Sequence, residues 1–107
     1  MKGTVFIDNE EIGFADFRVI DESMGVIQGE LSPTENYIKY KKQIRELFDR
    51  KGIANIEDFN FKIVLEDSTI LEPEGGIGIT DSSGFDEILV ESAGVDYKVI
   101  ARLNSGK

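Results

Sequence analysis

The chain has 107 residues, no Cys and no His, and 21 acidic against 12 basic residues, for a net charge of −9. That length supports a single domain over residues 1–107 with its own core and no need of a disulfide or metal staple. The missing imidazoles and thiols exclude His-based triads and structural zinc, and the acidic balance disfavours nucleic acid as a partner.

From the start, Val5-Phe6-Ile7 reads as a strand, and its three apolar residues fall far short of a signal-peptide core. No apolar run approaches a membrane span, so the expectation is a cytoplasmic protein with no membrane partner. Asn9-Glu10 reads as the turn of a hairpin leading into a long second run, Glu11 to Ile20. That run changes phase: Ile12 and Phe14 share one parity, Phe17 and Val19 the other, so a bulge near Ala15-Asp16 is expected to keep all four on the core side. Asp21-Glu22-Ser23 turns the chain into a third strand from Met24 to Glu30.

The strongest pattern is residues 33–51. Ser32 with Glu35 has the spacing of a capping box, and Pro33 suits a first helical position, so the helix is expected to begin at Pro33. Arg50, Lys51 and Gly52 signal its end at Lys51. Tyr37, Tyr40, Ile44, Leu47 and Phe48 lie in one stripe about 100° wide, suited to packing on a core. The segment carries six Lys or Arg and three Asp or Glu, a charge of +3; the rest of the chain, with six basic and eighteen acidic residues, carries −12.

Beyond the helix, residues 54–58 read as a linker, and Phe59, Phe61, Ile63 and Leu65 alternate as a half-buried strand. Asp67-Ser68 reads as a tight turn into Thr69-Ile70-Leu71, followed by a loop at 72–76. Ile77 to Thr80 and Ile88 to Val90 read as short strands. Val95, Tyr97, Val99, Ala101 and Leu103 alternate with other residues as a final strand, with the last four residues fraying. Glu22-Ser23-Met24-Gly25-Val26 echoes Glu91-Ser92-Ala93-Gly94-Val95, which reads as shared turn chemistry rather than duplication. The fold expected is α+β: a bent antiparallel sheet or partly open barrel of about six to eight strands, with one amphipathic helix (33–51) packed against it.

Few residues suggest chemistry. Asp81 to Glu87 offers close oxygen ligands but lacks the alternating acids and terminal Glu of a calcium loop. Gly75-Gly76-Ile77-Gly78 lacks the Lys-Ser/Thr and the helix of a phosphate loop, and acids flank it. No catalytic residue, metal ligand or cofactor is expected. The feature that favours contact is the basic helix side, where Ile38 lies beside Lys41, Lys42 and Arg45 as an apolar anchor ringed by cations. A second patch, of opposite sign, would arise from Asp8, Glu10, Glu11, Asp21 and Glu22 if the first turns lay together. The function expected is a non-catalytic protein-binding module of inhibitor or immunity type. Two alternatives stand beside it: a ligand binder or carboxylate enzyme with a cavity between helix and sheet lined by Tyr37 or Tyr40, and a homo-oligomeric structural subunit.

Overall fold

The computed structural model describes residues 1–55, 58–71, 75–82 and 87–105. Residues 72–74 of the expected loop at 72–76, residues 56–57 of the expected linker, most of the acidic segment from 81 to 87 and the last two residues lie outside this set. The described residues form an eight-stranded antiparallel sheet curled into a half-barrel, with one longer helix packed against it and a second, shorter one. The strands are β1 (Lys2–Ile7), β2 (Glu10–Asp16), β3 (Arg18–Asp21), β4 (Val26–Pro33), β5 (Ala54–Asn55), β6 (Phe61–Leu65), β7 (Ile77–Asp81) and β8 (Ile88–Ser92). They lie in the order β5-β7-β8-β4-β2-β1-β6, and β3 pairs with β4. The helices are α1 (Ile38–Lys51) and α2 (Tyr97–Ser105).

The first hairpin explains the bend. β1 buries Gly3, Val5 and Ile7 and turns Lys2, Thr4 and Phe6 away. Asp8, at φ 56°, takes the left-handed turn that short polar residues tolerate. The expected bulge lies earlier than the sequence suggests, because Val5 faces Gly13 and Phe6 faces Glu11, leaving Ile12 as the extra residue. Phases before and after Ile12 differ, so Ile12, Ala15 and Phe17 are all buried and Phe14 is turned outward, 40 % exposed. Gly13 makes this tolerable: a Cβ there would lie 2.5 Å from the Ser32 carbonyl oxygen, so β4 passes too close for any side chain.

The run then breaks at Phe17, whose N–H donates to the Met1 carbonyl (2.8 Å) while the Met1 ammonium donates to the Phe17 carbonyl (3.0 Å). β2 and β3 both continue along one edge of β4, and β8 lies along its other edge. The strongly bent second run is therefore two strands sharing a partner.

The start of the helix and the linker after it differ from the sequence reading. Ser32 and Pro33 do not start the helix; they remain in β4, opposite Phe14 and Gly13. The Thr34 hydroxyl and N–H then donate to the Glu11 and Ile12 carbonyls, a 3-10 turn follows at Glu35–Tyr37, and α1 begins at Ile38. Pairing with β2 wins over the capping box because Pro33 ends the strand, where a missing N–H costs little. The other end is as expected: Gly52 is left-handed (φ 86°) and its N–H donates to the Phe48 carbonyl. Tyr37, Ile44 and Leu47 are buried, and α1 packs on β7 and β5. Part of the expected linker is itself β5, pairing Ala54 and Asn55 with Ile79 and Gly78.

The expected final strand is a helix. Val99, Ile100 and Leu103 are buried together, a spacing that suits 3.6 residues per turn, whereas strict alternation would have turned Ile100 outward. Asp96 caps it, its Oδ1 accepting the Lys98 N–H at 2.7 Å. α2 reaches the β6 turn through Arg102, which donates to Thr69 Oγ1 and pairs with Asp67, and the β3–β4 turn through Asn104, which donates to Glu22 Oε1.

Candidate functional site

The outer face of α1 is the candidate. Positions 38, 42 and 45 follow at intervals of four and three, which stacks them on one side of a helix with Lys41 at its border. That side is opposite Ile44 and Leu47, so burying those two obliges Ile38 and Lys42 to face water. Ile38 is 71 % exposed, Lys42 is exposed and Lys41 is half-buried. The face continues into a shallow depression of about 700 Å³ lined by Lys39, Lys42, Gln43, Glu46, Leu47 and Arg50. Glu46 is one of the few acids on this side, and Gln43 has no part in the charge pattern, so sequence reading passed it over.

Arg45 belongs to this face but is not a freely exposed cation, contrary to expectation. Its Nε lies 3.2 Å from Asp81 Oδ1, and Asp81, at the end of β7, is only 1 % exposed. The other carboxylate oxygen accepts the buried Tyr37 hydroxyl at 2.6 Å. Burial, and then the Asp81 carboxylate, hold the Tyr37 phenol far above its ordinary pKa, so it stays a donor. The three residues tie the start of α1, its middle and β7 into one polar link centred on the buried Asp81. The link fixes how α1 presents Ile38 and Lys42.

A second tie lies at the first turn of α1. Glu10 accepts from Lys39 and from the Tyr40 hydroxyl, and these two, Lys39 first, lower its carboxyl below the ordinary value of 4.5. A lowered carboxyl contributes stability that is full above the unfolded pKa and is lost as pH falls through the folded one. Lys39→Met is therefore expected to destabilise at neutral pH, with the difference from wild type shrinking below about pH 4.5. Urea unfolding at pH 7 and pH 3 measures it; an undiminished difference at pH 3 would contradict this role for Lys39.

Comparison of the chain with protein-family models, with curated proteins and with solved structures returns no match.

The Tyr37 and Tyr40 hydroxyls, expected to line a cavity between helix and sheet, are instead engaged with Asp81 and Glu10. Clefts lie elsewhere, including one of about 540 Å³ bordered by Asp16, Arg18, Gln28, Glu30, Glu87 and Leu89. Among the described residues no buried side-chain polar atom lacks a hydrogen-bond partner, and no three acidic side chains gather as a metal site. Residues 83–86 of the calcium-like segment fall outside the description.

Gly75 and Gly76 join the sheet margin, the Gly75 N–H donating to the Ala93 carbonyl and the Gly76 carbonyl accepting from Ser92 Oγ. Gly78 lies within β7, paired with both β5 and β8. The five acids of the first turns do not form one patch, because Asp8, Glu10 and Glu11 lie at one end of the β2–β3 run and Asp21 and Glu22 at the other. Among the described residues no helix is long and apolar enough to cross a membrane.

Proposed function

We propose that the protein is a non-catalytic module that binds another protein through the outer face of α1, in the manner of a stoichiometric inhibitor or immunity partner acting in the cytoplasm. The observation that carries this reading is Ile38, a large aliphatic side chain 71 % exposed on the same face as Lys41, Lys42 and Arg45. An apolar anchor ringed by charges of one sign fits a partner surface with an apolar socket and an acidic rim. The rim charges would steer encounter and the anchor would slow dissociation. Segregation of charge, +3 on the helical segment against −12 elsewhere, would orient the approach of an acidic partner toward α1.

The test is capture from a lysate of the source organism by immobilised wild type and by an Ile38→Asp, Lys42→Glu variant. Arg45 is left unchanged because it pairs with Asp81. The expected result is one protein retained at near-equal stoichiometry by wild type and lost with the folded variant. Retention of nothing specific by either, or of the same proteins by both, would overturn the reading.

A further inference from the structure

A second exposed apolar group lies away from α1. Met24, in the β3–β4 turn, is 66 % exposed, and Tyr97, the first residue of α2, is 76 % exposed. The segments that carry them are held together because the two echoed pentapeptides meet: the Gly94 N–H donates to the Met24 carbonyl (3.2 Å) and the Val95 N–H to the Gly25 carbonyl (3.0 Å). This clamp holds the β3–β4 turn beside the start of α2. Exposed acids flank both in the chain, Asp21 and Glu22 on the turn before Met24 and Asp96 at the helix cap before Tyr97, with Lys98 the cation that follows.

The two faces are complementary: an aliphatic anchor among cations on α1, and an apolar pair among carboxylates here. We infer that the α1 face of one copy docks on the Met24–Tyr97 face of a second, so that self-association covers the partner-binding surface. The inference rests on the reading of α1 above and adds a regulation to it. Contact between two α1 faces would oppose like charges, so each contact joins an α1 face to a Met24–Tyr97 face. Where the contact does not close on itself, each added copy leaves one face of each kind open and the assembly grows as a chain. Net charge of −9 on each copy opposes approach, but salt screens exposed charges beyond about 8 Å under physiological conditions, whereas the facing surfaces meet with opposite sign.

Sedimentation of wild type, of Ile38→Asp, and of a Met24→Asp, Tyr97→Asp variant tests this. For wild type the weight-average mass is expected to rise roughly twofold or more with concentration as the chain grows, and to fall again when salt is added. Each variant alone stays monomeric. An equimolar mixture of the two forms a 1:1 dimer and nothing larger, because each supplies one intact face. Wild type that stays monomeric throughout, a variant that associates alone as wild type does, or a mixture without dimer would each overturn the inference. If a variant fails to fold, the concentration and salt response of wild type still decides. Lysate capture by the Met24→Asp, Tyr97→Asp variant separates the two claims: a partner retained there, beside a monomeric wild type, sinks self-association and leaves the α1 reading standing.

Discussion

Asp81→Ala is expected to lower unfolding free energy by about 2–4 kcal/mol, most of it from leaving the buried Tyr37 hydroxyl without an acceptor and the rest from losing an ion pair whose cation is partly hydrated. The substitution strands the Tyr37 hydroxyl, which donates to Asp81 at 2.6 Å inside the core, and frees the Arg45 guanidinium from its counter-ion. For a chain of this size that loss corresponds to a fall in Tm of roughly 10 °C or more. Tyr37→Phe, which leaves the Asp81–Arg45 pair in place but removes a hydrogen bond to a buried carboxylate, should cost about 1.5–3 kcal/mol. Thermal and urea unfolding of the two variants beside wild type measures both. An Asp81→Ala cost below about 1 kcal/mol would mean that Asp81 does not tie α1 to the sheet. Because the link sets how α1 lies on β7, Asp81→Ala should also weaken capture of the proposed partner, although Asp81 itself is buried.

Gly25→Ala is the second large effect, on the order of 3 kcal/mol, and Gly52→Ala supplies its control at about 1 kcal/mol. Both glycines have positive φ, 63° and 86°, so alanine meets a similar backbone penalty at each. They differ in space. A Cβ on Gly52 meets nothing within 4 Å, whereas one on Gly25 would lie 2.6 Å from the Val95 carbonyl oxygen and 2.9 Å from its nitrogen. Neither backbone atom can move without releasing the clamp between the β3–β4 turn and α2. Gly25→Ala should therefore also speed amide exchange across α2, while Gly52→Ala leaves α2 protection unchanged. Similar losses of stability at both positions would show that the clamp contributes nothing beyond backbone conformation.

The sequence discloses what is local. Ile44 and Leu47 mark the buried side of α1, Arg50-Lys51-Gly52 marks its end, and the alternation of Phe61, Ile63 and Leu65 marks β6, all buried as the pattern requires. It misleads where two local readings compete. Ser32-Pro33 suits a helix start as well as a strand end, and only pairing with Gly13 and Phe14, some twenty residues away, decides between them. Val95 to Leu103 fits a strand if Ile100 is ignored and a helix if it is counted; the Asp96 cap was the signal that could have separated them.

The candidate site divides in the same way. Exposure of Ile38 and Lys42 follows from helical period alone. The engagement of Arg45 does not, because its counter-ion, Asp81, lies 36 positions on and is brought to α1 only by the curl of the sheet. The meeting of the two Gly-containing pentapeptides is equally non-local. Their likeness was visible in sequence, but their contact was not.

The most direct test of the central claim, that the outer face of α1 is a protein-binding surface, is a photo-crosslinking amino acid placed at position 38 and, as control, at exposed Glu30 on β4. After irradiation in lysate the account predicts one discrete heavier adduct from position 38 and none of that mass from position 30. No adduct from position 38, or the same adduct from both, would contradict it.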